Sequence, residues 1–288
     1  MTLAGPTSII IPFTAVEISY YRLFLVIALS VTLVAALRLI KKSELNFKSS
    51  LWTLVAAAAA FLVGARLFNI IVRPELYRAE PWRLYSLDAT GFSLYGGLAA
   101  AVITVILAYA GIQKIGRYHN ISWIPFFKGM TKEQENAEFW KFADATAPAF
   151  GLGLAIMRIG CFLNGCCFGK PTDLPWGINY PLFGDAHLWQ MAHGLTGPFT
   201  VLPVHPTQLY EAIYSLIGAG IAYWLFRKKF TPGVTALTFA IWLTTFRLAN
   251  HFLRAFPYDP IVTLYVYPAF YLVIIAISTS LLLKHRRI

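Results

Sequence analysis

Met157-Arg158-Ile159-Gly160-Cys161-Phe162-Leu163-Asn164-Gly165-Cys166-Cys167-Phe168-Gly169 places an arginine near the end of an otherwise apolar run and follows it with a small, glycine-punctuated turn. A guanidinium in such a run costs about 2.5–3.5 kcal/mol to insert into a bilayer, so Arg158 requires a partner. Outward from this stretch the chain keeps the same character. It is 288 residues long, 58% hydrophobic and only 13% charged, with a mean hydropathy of +0.61. Soluble domains carry roughly 25% charged residues, so composition alone excludes an ordinary soluble globular protein.

A span needs about 20 apolar residues, and seven runs qualify: 22–40, 51–72, 92–112, 146–162, 205–226, 234–254 and 264–283. The fold expected is an all-α polytopic membrane protein, one membrane-embedded domain over 1–288, with seven transmembrane helices. The N-terminal Met1-Thr2-Leu3-Ala4-Gly5-Pro6 lacks a basic region, so the first span reads as retained rather than as a cleaved signal peptide. Basic residues cluster after the first, third, fifth and seventh spans: Arg38, Lys41, Lys42 and Lys48; Lys114, Arg117, Lys128, Lys132 and Lys141; Arg227, Lys228 and Lys229; Lys284, Arg286 and Arg287. The opposite side holds Arg73, Arg78, Arg83, Lys170 and Arg254. The positive-inside rule then predicts an outer N-terminus and a cytoplasmic C-terminus. The net charge of +11 is accounted for by topology and anionic lipid, and calls for no nucleic acid. On the outer side, 73–91 carries Tyr77, Trp82 and Tyr85 among its arginines and reads as an interfacial arm. The segment 163–204, rich in Gly, Pro, Trp and His, is too long for a connector and reads as a small periplasmic head.

Arg22, near an outer end, can snorkel to the interface. Arg66, Arg158 and Arg247 lie deeper, and unpaired they would together cost roughly 8–10 kcal/mol. The carboxylates at hand are Asp144 and Glu211. Two readings follow: an internal salt-bridge network, or a cavity with surplus positive charge that holds a phosphate, such as that of a lipid head group. Arg247, His251 and Arg254 stand at i, i+4 and i+7, on one helix face, and Arg158 and Cys161 at i, i+3. His205-Pro206-Thr207-Gln208-Leu209-Tyr210-Glu211 opens the fifth span with a proline at the helix start. Gly96-Gly97 permits close approach of a helix or a ligand. Cys161, Cys166 and Cys167 show no metal-ligand spacing, so no metal is expected and buried inert thiols are the default, although Cys161 has room to bridge either neighbour.

These residues resemble the prolipoprotein diacylglyceryl transferase family along most of the chain. Tyr20-Tyr21 is similar to its opening aromatic pair, Gly64-Ala65-Arg66 to its Gly-Gly-Arg, and Ser93 to Leu98 to its His-Gly-Gly-Leu segment. Asp144 to Pro148 matches the entry to its fourth span, and Arg158 to Gly165 with Gly169 resembles its signature. Val201-Leu202-Pro203 with His205 to Glu211 resembles its fifth-span entry, and Phe246-Arg247 with Phe252 and Arg254 its sixth. The resemblance implies an enzyme of the bacterial inner membrane that moves the diacylglyceryl group of phosphatidylglycerol onto a prolipoprotein signal-peptide cysteine. Glycerol phosphate is released, and no cofactor takes part. The chain departs from the family at Tyr95 (a histidine there), Cys161 (asparagine), Cys166 (an acid) and His251 (an acid).

On this reading Arg158 and Arg247 stabilise the leaving phosphate, with Arg66 either a third clamp or a structural partner of Asp144 or Glu211. A thiol with pKa near 8.5 is only a few per cent thiolate at neutral pH, so a base is useful. His251 has the better intrinsic pKa for it, and Tyr95 serves as a hydrogen-bond donor to phosphate. Asn164 and Tyr210 orient the substrate, and Tyr21, Gly96, Gly97, Cys161, Gly165, Gly169, His205, Gln208 and Glu211 complete the expected substrate site. The changed positions keep other readings open: a phosphatidylglycerol-dependent transferase with a different acceptor (a glycan, lipid or small thiol), or a non-catalytic lipid-binding paralogue. A transporter is also compatible with intramembrane charge, but no inverted repeat is visible.

Overall fold

The computed structural model describes residues 8–10, 17–85, 93–118, 132–256 and 260–285. Two short antiparallel strands, β1 (Ser8–Ile10) and β2 (Glu17–Ser19), pair with Ser8 opposite Ser19 and lead into helices. These are α1 (Tyr20–Lys42), α2 (Phe47–Val72), α3 (Pro74–Ala79), α4 (Leu94–Tyr118), α5 (Lys132–Leu163), α6 (Asp185–Ala192), α7 (Thr207–Arg227), α8 (Val234–His251) and α9 (Tyr267–His285). Five helical stretches among the described residues are long and apolar enough to cross a membrane: Tyr20–Lys42, Phe47–Val72, Asn136–Leu163, Thr207–Arg227 and Val262–Lys284. The last begins with a π-helical turn, Val262–Val266, ahead of α9.

The helix α5 extends well before the expected start at 146. Hydropathy marks only the part of a helix that tolerates lipid. The preceding Lys132-Glu133-Gln134-Glu135-Asn136-Ala137-Glu138 is charged but made largely of good helix formers, so the helix continues through it.

The chain divides into two compact units, Leu33–Thr146 on the one hand and Met1–Thr32 with Ala147–Ile288 on the other. In the first, α2 and α4 meet through glycines. A Cβ on Gly64 would strike Ala100, one on Gly96 would strike Phe68, and one on Gly97 would lie 2.8 Å from the Phe61 ring. Small residues bring helices together where lipid supplies no hydrophobic drive for association. Tyr109 packs edge-on to Phe139, with centroids 6.0 Å apart. The arm folds as α3 followed by a 3₁₀ turn over Pro81–Leu84, with Trp82 and Tyr85 exposed. Residues 86–91 of the expected arm lie outside the described residues.

In the second unit α5 serves two neighbours through glycine. Gly151 faces the Phe239 ring of α8 at 2.8 Å and Ala219 of α7 at 3.0 Å, while Gly153 and Gly160 lie against Thr32 and Phe24 of α1. Trp242 of α8 donates its indole N–H to the Tyr214 carbonyl of α7 at 2.8 Å. Between α5 and α7 the chain folds around a small core of Phe168, Ile178, Tyr180, Ala186 and Val204 with Ala255, covered by Phe162 and Trp189. Its backbone is closed by reciprocal bonds between Ile178 and Val204 at 3.0 Å, and the Gln190 amide clasps both polar groups of Leu202.

Candidate active site

Glu211, in the first turns of α7, is the centre of a buried charge cluster. Arg158, near the C-terminal end of α5, pairs through Nε with one carboxylate oxygen, and Arg247 of α8 pairs with the other. Arg254, just beyond α8, brings a third guanidinium to 4.0 Å from the same carboxylate, and the Tyr214 hydroxyl donates to it at 3.1 Å. The side chains are almost shut off from solvent: 4% exposed for Arg158, 9% for Arg247, 14% for Arg254 and 2% for Glu211. Three positive charges against one negative leave two in surplus.

Arg254 reaches the cluster because the chain folds back on itself after α8. Gly169 bridges Arg254, and Lys170 N–H donates to Leu253 O at 2.8 Å. A side chain at Gly169 would meet the carbonyls of His205 and Leu253 at 2.6 and 2.9 Å, so only glycine permits this approach. Arg254 is not among the site residues expected from the sequence, which gives it an outer-side position on the helix face of Arg247 and His251 and a place in the sixth-span resemblance. Tyr214 was not singled out, and no spacing rule marks it.

The α5–α7 turn is fastened from α7. Thr207 Oγ1 donates to Cys167 O at 2.8 Å, and Gln208 Nε2 donates to Cys166 O at 2.7 Å and to the Tyr180 oxygen at 3.0 Å. Gln208 is wholly buried, and its own carbonyl oxygen has no partner among the described residues. Arg158 Nη1 reaches Cys161 Sγ at 3.8 Å. Hydrogen bonds from the Cys161 and Cys166 thiols hold Cys167 well below the ordinary thiol range, and the Arg254 and Arg158 guanidiniums act in the same direction. Tyr21 is buried within electrostatic reach of Arg158 and the three thiols. Asn164 closes the end of α5, its N–H donating to Gly160 O at 2.9 Å, and Gly165 takes a left-handed φ of +73°. Tyr210 accepts from Trp176 Nε1 at 2.7 Å and lies 3.4 Å from His205 Nδ1.

His251 ends α8 in a box of rings, with Phe252, Phe256, Tyr267 and Tyr271 centroids 4.6–5.8 Å away. Its Nε2–H donates to Thr263 O at 2.6 Å, which sets the tautomer and leaves Nδ1 as an acceptor without a hydrogen-bond partner among the described residues.

The other unit holds the remaining expected residues. Arg66 donates to Tyr77 Oη at 3.3 Å and to Arg83 O at 3.1 Å, and Tyr77 in turn donates to Asn69 Oδ1 at 2.6 Å. These bonds tie the arm to α2. Gly96 and Gly97 pack against α2. Tyr95 lies in the first turn of α4, with its side chain outside the described residues.

Long apolar helices together with a buried, cation-rich carboxylate are those of a multi-pass helical membrane protein. The model of the family described as prolipoprotein diacylglyceryl transferase matches residues 8–283, and the chain belongs to that family. It is similar to three proteins called phosphatidylglycerol–prolipoprotein diacylglyceryl transferase. That of Chloroflexus aggregans is 28% identical over 58% of this chain and 46% of its own length. That of Bordetella parapertussis is 29% identical over 67% and 60%, and that of Finegoldia magna 28% identical over 77% and 73%. The chain thus spans about half to three-quarters of the length of these relatives.

Proposed function

We propose that this protein transfers the diacylglyceryl group of phosphatidylglycerol to the cysteine thiol of a prolipoprotein signal peptide. The observation that carries the reading is the Glu211 cluster: three guanidiniums share one carboxylate and keep two surplus positive charges in a buried place. A phosphodiester brings one negative charge to it and leaves as a monoester with two. The field is therefore matched better to the product-like transition state than to the ground state, which is the condition for catalysis.

In the reaction a C–S bond forms at the terminal glyceryl carbon of the diacylglycerol moiety. The bond from that carbon to the phosphate oxygen breaks, and its electron pair leaves on glycerol phosphate. The thiol proton goes to a base. Arg158 and Arg247 receive the developing charge with Arg254 beside them, and Glu211 orients all three forks. His251, whose Nε2–H is held by Thr263 O, offers Nδ1 as the proton acceptor. Tyr21, Cys161, Asn164, Gly165, Gly169, His205, Gln208 and Tyr210, all of the unit that holds Glu211, are the lipid and peptide contacts of this reading.

The chain is read as crossing the bacterial inner membrane seven times, α4 and α8 adding to the five longest apolar stretches. The N-terminus and the segment 163–204 face the periplasm, where the signal-peptide cysteine is presented. The basic residues after alternate spans support that orientation.

Incubation of the purified protein with radiolabelled phosphatidylglycerol and a peptide carrying a lipoprotein signal cysteine tests the reading. Label on the peptide thiol with release of glycerol phosphate is expected. Bound lipid without turnover overturns it. The replacements at Tyr95, Cys161, Cys166 and His251 favour a second reading, the same donor with another acceptor, and label appearing on a glycan, lipid or small thiol instead selects that one.

A further inference from the structure

All three cysteines of the chain, Cys161, Cys166 and Cys167, are free, and their sulfurs lie within 4.8 Å of one another. Adjacent residues in an extended chain point to opposite sides, so Cys166 and Cys167 do not converge by default. Two left-handed residues turn them together, Gly165 at φ +73° and Cys167 at φ +62°. For a residue with a Cβ that conformation costs on the order of 1–3 kcal/mol and persists only where the surroundings hold it. Here Thr207 and Gln208 grip the carbonyls of Cys167 and Cys166 at 2.8 and 2.7 Å.

The gathered donors are soft. Thiolates select copper(I), zinc or iron–sulfur centres over hard cations. With a metal–sulfur bond of about 2.3 Å, a trio at this separation needs each sulfur to move inward by only about 0.5 Å. Zinc in structural sites takes four protein donors. Among the described residues no histidine or carboxylate joins the three sulfurs. Three thiolates around a monovalent ion leave a net double negative charge, and Arg158, which already donates to Cys161 Sγ at 3.8 Å, offsets part of it. Cys161 and Cys166 are buried and Cys167 is half-buried.

We propose that Cys161, Cys166 and Cys167 form a three-thiolate site for a soft monovalent cation, copper(I). Loading sends the displaced thiol protons to solvent, and the metal keeps its oxidation state throughout. The site does not depend on the transferase reading, and its test uses no turnover.

The test is an anaerobic titration of the full chain in detergent, reduced with a phosphine, using copper(I) against bicinchoninate. One copper(I) per chain is expected, with a sulfur-only shell by X-ray absorption. Each of Cys161→Ser, Cys166→Ser and Cys167→Ser should weaken binding by more than about tenfold, since even outer-shell changes cost that much. A readout on the unsubstituted protein guards against misfolded variants: one equivalent of copper(I) should protect all three thiols from alkylation, counted by intact mass. Loss of the metal to the chelator, alkylation undiminished by copper, a shell containing nitrogen or oxygen, or tighter retention of zinc(II) in the same competition overturns the assignment.

Discussion

Glu211→Gln removes one negative charge and almost no volume. In the native protein Arg158 and Arg247 each pair directly with this carboxylate, Arg254 stands at 4.0 Å, and exposures run from 2% to 14%. Gross attraction at each near pair is about 4 kcal/mol at an effective dielectric of 20, but desolvation has already consumed much of it. The better guide is the cost of breaking a buried pair by removing one partner, about 3–5 kcal/mol. At roughly 2–4 °C per kcal/mol, that is a fall in thermal midpoint of about 6–20 °C. The sign of the remedy is equally defined. Three guanidiniums left without their carboxylate form a stronger anion site, and a ligand at 100 times its dissociation constant returns about 2.7 kcal/mol. The assay is a melting curve in detergent with and without the soluble head group glycerol phosphate. The variant should melt lower than the parent and gain more from glycerol phosphate. A variant as stable as the parent, or one that gains nothing from the anion, refutes the idea that Glu211 balances a surplus of buried positive charge.

Four further outcomes are expected. Arg247→Lys keeps the charge but loses the fork, so transfer to the peptide thiol should fall by about 10²–10³ with folding retained, measured by labelled-lipid turnover. His251→Ala should lose more activity than Tyr95→Phe, on the order of 10²–10⁴ for removal of a base; the opposite ranking in parallel rate measurements rejects His251 as proton acceptor. Gly96→Ala should destabilise the α2–α4 contact by about 1–3 kcal/mol because its Cβ collides with Phe68, read as a lowered midpoint of unfolding. Arg66→Ala should free the arm from α2, seen as faster limited proteolysis within 74–85, because Arg66 donates to Tyr77 and to the Arg83 carbonyl of that arm.

Transfer free energy is readable one residue at a time, and the features it governs were legible in the sequence. The apolar helices, the need of Arg158 and Arg247 for company, and Glu211 as a carboxylate able to provide it all follow from the cost of placing charge in hydrocarbon. Features set by backbone torsion and by carbonyl partners were not legible. Arg66 looked like a third phosphate clamp because hydropathy sees a charge in a span, whereas it bonds to a phenol and a peptide oxygen of the following arm. Arg254 shared a helical face with Arg247 in the sequence. Nothing local announced that Gly169 and Lys170 would draw the end of α8 inward through backbone bonds to Arg254 and its neighbour Leu253. The cysteines show the same division. Their spacing carries no ligand signature, and their convergence depends on two positive φ angles and on side chains of α7, some forty residues away in the chain. The charge surplus and the thiol cluster therefore share one cause: the first two turns of α7 hold both Glu211 and the residues that shape the α5–α7 turn. A change at Thr207 or Gln208 should disturb the two sites together.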